Sequence, residues 1–459
     1  MHETDGSRWT SEQQAVEQAG GPDRIGGTPV DTEVAEVAVG GAAKVVVVGQ
    51  GYVGLPLAMA AVGAGMDVVG FDLDADRISR LQGAGTFIDD VTAEDVRAAL
   101  ATRRYHPTTD PRMLHGFDVA VVSVPTPLRD GAPDLSFVED AARLLAPHVT
   151  PGCLVVLEST TYPGTTEDLF APLLEAPTGL RAGADFHVGY SPERIDPGNP
   201  HWTFGNTPKI VSGMDEASAL AVSSFYQKLV DTVVEVDGTL EAELAKLLEN
   251  TFRHVNIALV NELAVLCHDL RIDVWSVLDA AATKPFGYMR FDPGPGVGGH
   301  CLPIDPSYLS WQVRRTLGRS FRFVEIANEV NDAMPDYVVS RVTGALNTRS
   351  KPVRGCTVVL LGLSYKANSG DARQSPAIRV ARRLLGLGAV VRGVDPLIEE
   401  SQVPAGVERV DCSEQVLAAA DLIVVLTPHA ILDWELVDRF ADRVLDTRNV
   451  VRGAGVERL

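Results

Sequence analysis

The chain has little cysteine, and its cysteines are not arranged to bind a structural metal ion. The five cysteines are Cys153, Cys267, Cys301, Cys356 and Cys412, and no two of them have CxxC spacing. An odd number without such spacing argues against a disulfide framework and a structural zinc site, so we expect no metal. The same pattern favours a reducing compartment, and we expect a cytoplasmic protein.

Long apolar runs and an excess of basic residues are also lacking. No uncharged apolar stretch reaches ~18 residues, which argues against a membrane-spanning helix, and we expect no signal peptide. The net charge is −21, which argues against a general nucleic-acid or membrane-surface binder. An anionic ligand would therefore be attracted by local features, such as helix N-termini and a few Lys or Arg side chains.

The length of the chain predicts several domains. At roughly 100–200 residues per domain, its 459 residues correspond to about two to four domains. Residues 1–43 are acidic, contain glycine and carry too little apolar surface to bury. We therefore predict a disordered acidic tail ahead of the first folded domain.

The segment after this tail has the pattern of a dinucleotide-binding turn. The apolar run of residues 45–48 predicts a buried parallel strand, which leads into GQGYVG at residues 49–54 and an alanine-rich helix. A second strand ends in Asp72, about twenty residues further on, as in the fingerprint whose acid binds ribose hydroxyls. Because an acid repels a 2′-phosphate, the sequence predicts NAD rather than NADP. The alternative is a purely structural turn.

The C-terminal part of the chain repeats this plan. Residues 389–395 echo the strand that ends in Asp72, and residues 421–428 echo residues 118–125. We predict an α/β fold with two doubly wound Rossmann-like domains joined by a long central helical region. The predicted domains are residues 44–215, 216–348 and 349–459. The last lacks GxGxxG and has an insert with Lys366, Asp371 and Arg373, which favours a different phosphate-bearing ligand.

The middle of the chain is predicted to be helical. Residues 239–270 predict one long helix, and residues 322–347 predict another that is interrupted near Pro335. Lys246 and Asn250 are four residues apart and share a face of the first helix. We expect these helices to form a homodimer, with an internal linker within one subunit as the alternative.

A loop rich in glycine surrounds Cys301. Residues 294–306 read GPGVGGHCLPIDP, and Pro306 is expected to open a helix with Asp305 as its N-cap. Cys301 would then precede a helix N-terminus, which favours the reactive thiolate. We interpret it as a nucleophile. The alternatives are an incidental cysteine in a surface loop and Asp305 as a mere N-cap.

Seven stretches, in order along the chain, carry a family resemblance. They are GQGYVGLPLA (49–58), VPTPL (124–128), ESTTYPGTTE (158–167), YSPERIDPGN (190–199), KLLENTFRHVNIALVNELA (246–264), PGPGVGGHCLPIDPSYLSW (293–311) and LSYKANSGDARQSPA (363–377). With them the chain resembles the UDP-glucose/GDP-mannose dehydrogenase superfamily over residues 44–430. GGHCLPIDP, PDLSFV at residues 133–138 and ENTFRHVNIALVNE are similar to the branch that acts on UDP-N-acetylhexosamines, with UDP-N-acetylglucosamine 6-dehydrogenases as the most similar type.

The resemblance implies the oxidation of C6 of a UDP-sugar from an alcohol to a carboxylate, with two NAD+ reduced per product. Cys301 would attack the intermediate aldehyde to give a thiohemiacetal, which becomes a thioester and is hydrolysed. Lys246 would stabilise negative oxygen, and Asn250 would bind the same oxygens or the thiol. Asp305 and Thr160 would hold a water, and Glu193 would assist hydrolysis.

The resemblance also assigns binding residues. The cofactor would contact Gly49, Gly51, Tyr52, Val53, Gly54, Asp72, Pro125, Thr126, Thr160 and Arg373. The substrate would contact Lys246, Asn250, Arg253, Gly298 and Lys366, with the UDP moiety on the C-terminal domain. His300 would shape the loop, and the cysteines other than Cys301 would lie in apolar cores.

Some positions depart from the family pattern, and other functions remain open. Ile195 and Gln374 stand where acids are common, and Lys284 lies near where some relatives send an arginine across the dimer. The same chemistry on UDP-glucose or UDP-N-acetylmannosamine is an alternative. A regulatory subunit that binds a nucleotide sugar without catalysis is a second alternative, against which the retention of Cys301 and Lys246 argues.

Overall fold

The computed structural model describes residues 43–88, 90–196, 199, 201–299, 302 and 304–459. The predicted tail, apart from Ala43, lies outside these residues, as do His300 and Cys301. The described residues form two compact units. The N-terminal unit comprises residues 43–251 and 304–321, and the C-terminal unit comprises residues 252–299, 302 and 322–459.

The N-terminal unit is built on a doubly wound sheet. Its strands are β1 (Lys44–Val48), β2 (Asp67–Phe71), β3 (Tyr105–Thr108), β4 (Val119–Val122), β5 (Leu128–Arg129), β6 (Ala132–Pro133), β7 (Leu154–Leu157), β8 (His187–Tyr190), β9 (Lys209–Gly213) and β10 (Val233–Glu235). Among the described residues the order of the main sheet is β10-β9-β8-β7-β4-β1-β2-β3, and β5 and β6 form a separate hairpin. The paired strands of the main sheet run parallel except β8 and β9, which are antiparallel. The strand order reverses at β1, as in a dinucleotide-binding fold.

Alternation within β1 explains why its four residues after Lys44 are all apolar. Val45 and Val47 pack into the cluster that includes Leu55. Val46 and Val48 pack on the other face, in the cluster that includes Leu157. Because successive side chains of a strand point to opposite faces, a strand covered on both sides has no polar position.

Helices cover both faces of this sheet. They are Gly54–Gly63, Ala75–Gln82, Ala93–Ala101, Ser136–Leu145, Ala171–Glu175, Glu216–Tyr226, the first part of Thr239–Leu270, and Asp305–Leu317. Short 3-10 turns occupy Pro111–Leu114 and Ala146–His148, and a π turn occupies Thr166–Phe170. The predicted long helix over residues 239–270 is confirmed.

The C-terminal unit contains the second doubly wound sheet. Its strands are β11 (Thr357–Leu361), β12 (Val390–Val394), β13 (Glu408–Arg409), β14 (Leu422–Val425), β15 (Val444–Asp446) and β16 (Glu457–Arg458). They pair in parallel in the order β13-β12-β11-β14-β15-β16. The helices are the remainder of Thr239–Leu270, Val274–Ala282, Arg322–Thr348, Pro376–Gly386, Glu414–Ala418 and Trp434–Asp438, with 3-10 turns at Glu400–Gln402 and Ala441–Arg443. The predicted fold class, two Rossmann-like domains with a central helical region, is confirmed.

Pro335 does not interrupt its helix, so the expected break is wrong. The helix Arg322–Thr348 runs through Pro335 without interruption. Proline has no N–H and cannot donate to the carbonyl of Asn331, four residues earlier. Gly296 lies close to this carbonyl, since a Cβ on Gly296 would be 3.0 Å from its oxygen. Val338, beyond the proline, is fully buried in the core. Tertiary packing of this helical face therefore outweighs the loss of one backbone hydrogen bond.

Among the residues that the structure describes, no helix is long and apolar enough to cross a membrane.

Candidate active site

Three glycines shape the turn after β1. Gly49 has φ +94°, a left-handed value that favours glycine, and a Cβ there would overlap the backbone of Ser123. A Cβ on Gly54 would come within 2.5 Å of Ser123 Oγ, so this glycine lets the helix start close to the sheet. A Cβ on Gly51 would meet nothing within 4 Å. The space beside Gly51 is therefore open, as a turn that receives a pyrophosphate requires.

Asp72 lies directly after β2 and faces this turn. Its carboxylate accepts a hydrogen bond from the backbone N–H of Gln50 at 2.8 Å. Arg77, in the next helix, forms an ion pair with Asp72 at 2.8 Å. Tyr52 and Val53 complete the turn, and Val53 immediately precedes the helix. The predicted cofactor residues of this segment therefore meet at the carboxyl ends of β1 and β2.

The loops after β4 and β7 are joined to each other. Ser159 Oγ accepts from the N–H of Val124 at 2.9 Å and donates to the carbonyl of Val124 at 2.8 Å. Pro125 and Thr126 follow in one loop and Thr160 follows in the other. Because β4 is the neighbour of β1, both loops leave the sheet near the point where its strand order reverses. This is where open α/β sheets bind ligands.

The helix Asp305–Leu317 is held against the same loops. Tyr308 is fully buried, and its hydroxyl donates to the carbonyl of Thr126 at 2.8 Å. Gln312 Nε2 donates to the carbonyl of Pro163. These contacts fix the helix that begins four residues after Cys301.

Four predicted catalytic residues meet beside the helix Thr239–Leu270. Asn250 Nδ2 donates to Asp305 Oδ2 at 2.6 Å, and Lys246 Nζ donates to the backbone carbonyl of Glu193. Lys246 and Asn250 are each 7% exposed and Asp305 is 3% exposed. The predicted shared face of Lys246 and Asn250 thus points into a buried polar cluster. The catalytic roles of these residues stay predictions.

Asp305 is not the N-cap of its helix, and this expectation is wrong. The helix begins at Asp305 itself, Ile304 occupies the cap position without a side-chain bond, and Pro306 is the second helical residue. The carboxylate is instead turned toward the amide of Asn250. Burial raises the pKa of Asp305 to about 6, although Lys246 and the hydrogen bond from Asn250 act to lower it. A carboxyl with such a pKa can exchange a proton near neutral pH.

The sequence interpretation missed Glu243. This residue is fully buried and accepts from Gly164 N at 2.6 Å, Thr166 N at 2.9 Å and Thr166 Oγ1 at 2.7 Å. Burial raises its pKa to about 7, against these hydrogen bonds. It lies three residues before Lys246, on the same helical face, and that spacing was the available signal. Glu243 holds the long helix to the loop that follows β7.

The glycine loop ahead of Cys301 belongs to the C-terminal unit. Gly294 N donates to Asn261 Oδ1 at 2.9 Å, and Asn261 Nδ2 donates to Asn331 Oδ1 at 2.9 Å. A Cβ on Gly298 would meet Tyr365 Cβ at 2.8 Å, and a Cβ on Gly299 would meet the Tyr365 ring at 2.7 Å. These two glycines therefore let the loop pack against the insert of the C-terminal sheet. The contact of Gly298 with the substrate stays a prediction.

Lys366 and Arg373, two other predicted residues of the C-terminal unit, lie in this insert. Ser364 Oγ donates to the carbonyl of Lys366 at 2.9 Å. The exposed guanidinium of Arg373 binds the Asp371 carboxylate through Nε at 2.9 Å and through Nη2 at 2.5 Å. Arg253 is exposed on the long helix. The contacts of Arg373, Lys366 and Arg253 with cofactor or substrate stay predictions.

Three family domain descriptions match the chain in order. The descriptions of the UDP-glucose/GDP-mannose dehydrogenase family match as "NAD binding domain" over residues 43–230, "central domain" over residues 240–333 and "UDP binding domain" over residues 359–453.

Individual relatives extend over nearly the whole chain. The UDP-N-acetyl-D-glucosamine 6-dehydrogenase of Pseudomonas aeruginosa is 36% identical, covering 84% of this chain and 90% of the relative. The NDP-N-acetyl-D-galactosaminuronic acid dehydrogenase of Ralstonia solanacearum is 36% identical, covering 88% and 95%. The solved structure of the UDP-N-acetylmannosamine dehydrogenase of Pyrococcus horikoshii is 33% identical, has a TM-score of 0.82 and covers 90% and 98%.

The chain belongs to the UDP-glucose/GDP-mannose dehydrogenase family. It is therefore an NAD-dependent oxidoreductase that acts on nucleotide sugars, as the sequence predicted. The N-terminal unit fits NAD, because Gly51 leaves open space beside the turn and Asp72 stands at the end of β2. When bound, NAD+ supplies the hydride acceptor.

In this dehydrogenase the cysteines other than Cys301 belong to apolar cores, as expected. Cys153, Cys267 and Cys356 are buried, and Cys412 packs partly buried against a cluster of the C-terminal unit. Burial raises the pKa of the Cys153 thiol, which opposes formation of a thiolate. These four thiols have the environment of packing residues.

Proposed function

We propose that this family member oxidises C6 of a UDP-N-acetylhexosamine to the carboxylate, in two hydride transfers, through a covalent intermediate on Cys301. One observation carries the proposal. Asp305, four residues after Cys301, is bonded to Asn250 one turn from Lys246. Asp305 therefore lies in a buried cluster of an amine, an amide and a carboxyl. A nucleotide-sugar binder without catalysis has no need of a thiol, so the retention of Cys301 argues against that alternative.

The first stage makes the aldehyde. Lys246 stabilises the alkoxide as C6 loses its hydride and the hydroxyl loses its proton. Asp305, with a pKa raised to about 6 by burial, takes up that proton directly or through a water that it shares with Thr160. Asn250 keeps the carboxylate oriented through its amide donor.

The second stage uses the thiol. The Cys301 thiolate adds to the aldehyde carbon, and the new oxyanion takes up a proton to give a thiohemiacetal. This adduct then loses a second hydride and a proton to become a thioester. Water then adds to the acyl carbon, Glu193 takes its proton, the C–S bond breaks and the thiolate leaves. In sum, the alcohol, two NAD+ and one water yield the carboxylate, two NADH and three protons.

The identity of the sugar is proposed from the loop around Cys301 and from the relatives. GGHCLPIDP resembles the branch that acts on UDP-N-acetylhexosamines, and enzymes named for N-acetylglucosamine and N-acetylmannosamine are among the relatives. We propose UDP-N-acetylglucosamine as the substrate. The epimers and UDP-glucose are the competing substrates.

Product mass analysis tests the proposal, with NAD+ and a panel of UDP-N-acetylglucosamine, UDP-N-acetylmannosamine, UDP-N-acetylgalactosamine and UDP-glucose. We expect UDP-N-acetylglucosamine to give a uronate and two NADH per product. A single NADH per product would contradict the thioester route, and faster turnover of an epimer or of UDP-glucose would reassign the substrate. Cys301→Ser should bind substrate but stall turnover, whereas the control Cys412→Ser should remain active. Unchanged product formation by Cys301→Ser would exclude the nucleophile.

We further propose a cytoplasmic homodimer that forms through the helix Thr239–Leu270. Along one face of this helix, exposed apolar side chains recur at intervals of four and seven residues: Leu244, Leu248, Phe252, Leu259, Leu266 and Leu270. Such a stripe is typical of a surface that packs against another helix. Light scattering should show a dimer for the native protein and a monomer for Leu248→Glu. A monomeric native protein would refute this proposal.

A further inference from the structure

A buried charge cluster lies beside Glu193 at the carboxyl edge of the N-terminal sheet. Lys209 Nζ is 2.6 Å from Glu158 Oε1 and 3.8 Å from Glu193 Oε2. The side chain of Lys209 is 5% exposed, that of Glu158 is fully buried and that of Glu193 is 12% exposed. Tyr226 donates its hydroxyl to Glu158 Oε1 at 2.6 Å. One cation is therefore shared by two carboxylates almost out of contact with water.

The direction of β9 explains why Lys209 reaches this place. Because β9 is antiparallel to β8, its first residue lies at the edge where β8 ends. Tyr190 pairs with Ser212, so continuing the register by three residues sets Glu193 opposite Lys209. The sheet therefore brings the two residues to the same edge, where Lys209 Nζ lies 3.8 Å from Glu193 Oε2.

The two other cations near Glu193, Lys246 and Arg194, have different partners. Lys246, on the long helix, donates to the backbone carbonyl of Glu193 and not to its carboxylate. Arg194 forms an ion pair with Glu249 at 2.7 Å. Among the described residues, Lys209 is the cation that forms an ion pair with the Glu193 carboxylate, and Glu193 Oε2 has no hydrogen-bond partner.

We propose that Lys209 is a positioning residue for thioester hydrolysis, whose ammonium group aims the Glu193 carboxylate and is itself held by Glu158, to which Tyr226 donates. The inference rests on the proposed function, in which Glu193 takes the proton from water. A nearby cation favours the charged form of a carboxylate, and the charged form is the base. The first hydride transfer needs no such base, so the effect is confined to the last step.

The charged groups around Glu193 set the expected pH dependence of thioester hydrolysis. Burial raises the pKa of Glu158, Lys209 opposes this shift and the Glu193 charge adds to it. If Lys209 is removed, Glu158 can become neutral beside Tyr226, whereas Glu193 loses its cation. Lys209→Met should therefore move the acidic limb of the hydrolysis rate upward in pH. Glu158→Gln should move that limb downward, because the ammonium group is no longer divided between two carboxylates.

The test separates the two stages by rapid-quench kinetics on the full-length protein with UDP-N-acetylglucosamine and NAD+. The NADH burst reports the hydride steps, and the mass of the acid-quenched protein reports the covalent adduct. In Lys209→Met we expect an unchanged burst, an accumulating adduct, steady-state turnover lower by about tenfold or more, and an acidic limb raised by about one pH unit. Lys209→Arg should restore most of the rate.

The outcomes distinguish this inference from the proposal on which it rests. A native protein that forms no adduct would overturn both. An adduct in the native protein, with a Lys209→Met pH profile and turnover that match the native ones, would overturn the role of Lys209 alone. If Lys209→Met slows the NADH burst as much as it slows steady-state turnover, the role of Lys209 is also overturned, since a general structural defect affects both stages. If Lys209→Met fails to fold, Glu158→Gln decides, because an unshifted acidic limb in that variant would refute the inference.

Discussion

Replacement of Asp305 by asparagine should stabilise the protein at neutral pH while it removes activity. The carboxyl is buried, and its pKa is raised from 3.8 to about 6, chiefly by burial. Below about pH 3.8 the group is protonated in the folded and the unfolded state, and it carries no electrostatic cost. Above about pH 6 it is charged in both states, and the folded state bears the whole cost of burying that charge.

The magnitude follows from the two pKa values. A displacement from 3.8 to about 6 corresponds to about 3 kcal/mol, since each pH unit is worth about 1.4 kcal/mol. Asparagine keeps an oxygen that accepts from Asn250 but carries no charge. The free energy of unfolding of Asp305→Asn should therefore exceed that of the native protein by about 1 kcal/mol near pH 4.5 and by about 3 kcal/mol near pH 7.5.

Urea unfolding followed by circular dichroism, at several values across this pH range, measures the difference. Asp110→Asn is the control. The side-chain hydrogen bond from Arg112 lowers the pKa of the Asp110 carboxyl, so this variant should lose stability relative to the native protein as pH rises. A difference for Asp305→Asn that is flat or falls with pH would refute the burial argument. Turnover of Asp305→Asn should fall by about 100-fold or more if the carboxyl transfers a proton.

Three further perturbations probe the site. Asn250→Ala removes the donor that favours the charged form of Asp305, so the acidic limb of the rate profile should move upward in pH, and an unmoved limb would contradict the contact. Gly51→Ala should keep the native melting temperature but weaken NAD binding, whereas Gly49→Ala should lower the melting temperature because the φ of Gly49 is +94°. Calorimetry measures the melting temperatures and titration with NAD measures binding. Equal effects of the two variants would contradict the backbone geometry of this turn. Glu243→Ala leaves buried backbone donors unsatisfied and should cost about 2–4 kcal/mol in urea unfolding near pH 4.5, where a pKa of about 7 keeps the native carboxyl mostly neutral. A loss below about 1 kcal/mol at this pH would contradict its role.

Local chemistry explains which parts of the site could be predicted. The GQGYVG turn and the acid at residue 72 need only neighbouring residues to have meaning, because a strand, a tight turn and a helix form within one short segment. The shared face of Lys246 and Asn250 likewise follows from the helical repeat. The same repeat places Glu243 on this face of the helix. Its structural role could not be predicted from the helix alone, since its partners Gly164 and Thr166 are far away in sequence.

Two predictions were wrong, at Asp305 and at Pro335, because a contact with residues distant in sequence outweighs a local preference. Asp305 beside Pro306 has the pattern of an N-cap, yet the amide of Asn250, on another helix, binds its carboxylate instead. Pro335 has the pattern of a helix break, yet burial of the following turns keeps the helix continuous. In both cases tertiary contacts contribute more free energy than the local rule.

The amino-acid sequence by itself determined the fold class, the cofactor and the order of the elements, because apolar periodicity and glycine spacing act over a few residues. Only the tertiary structure decided that β9 runs against its neighbour. That reversal brings Lys209 to the edge that carries Glu158 and Glu193. Strand direction in a sheet is set by the packing of the whole layer, so no short segment encodes it.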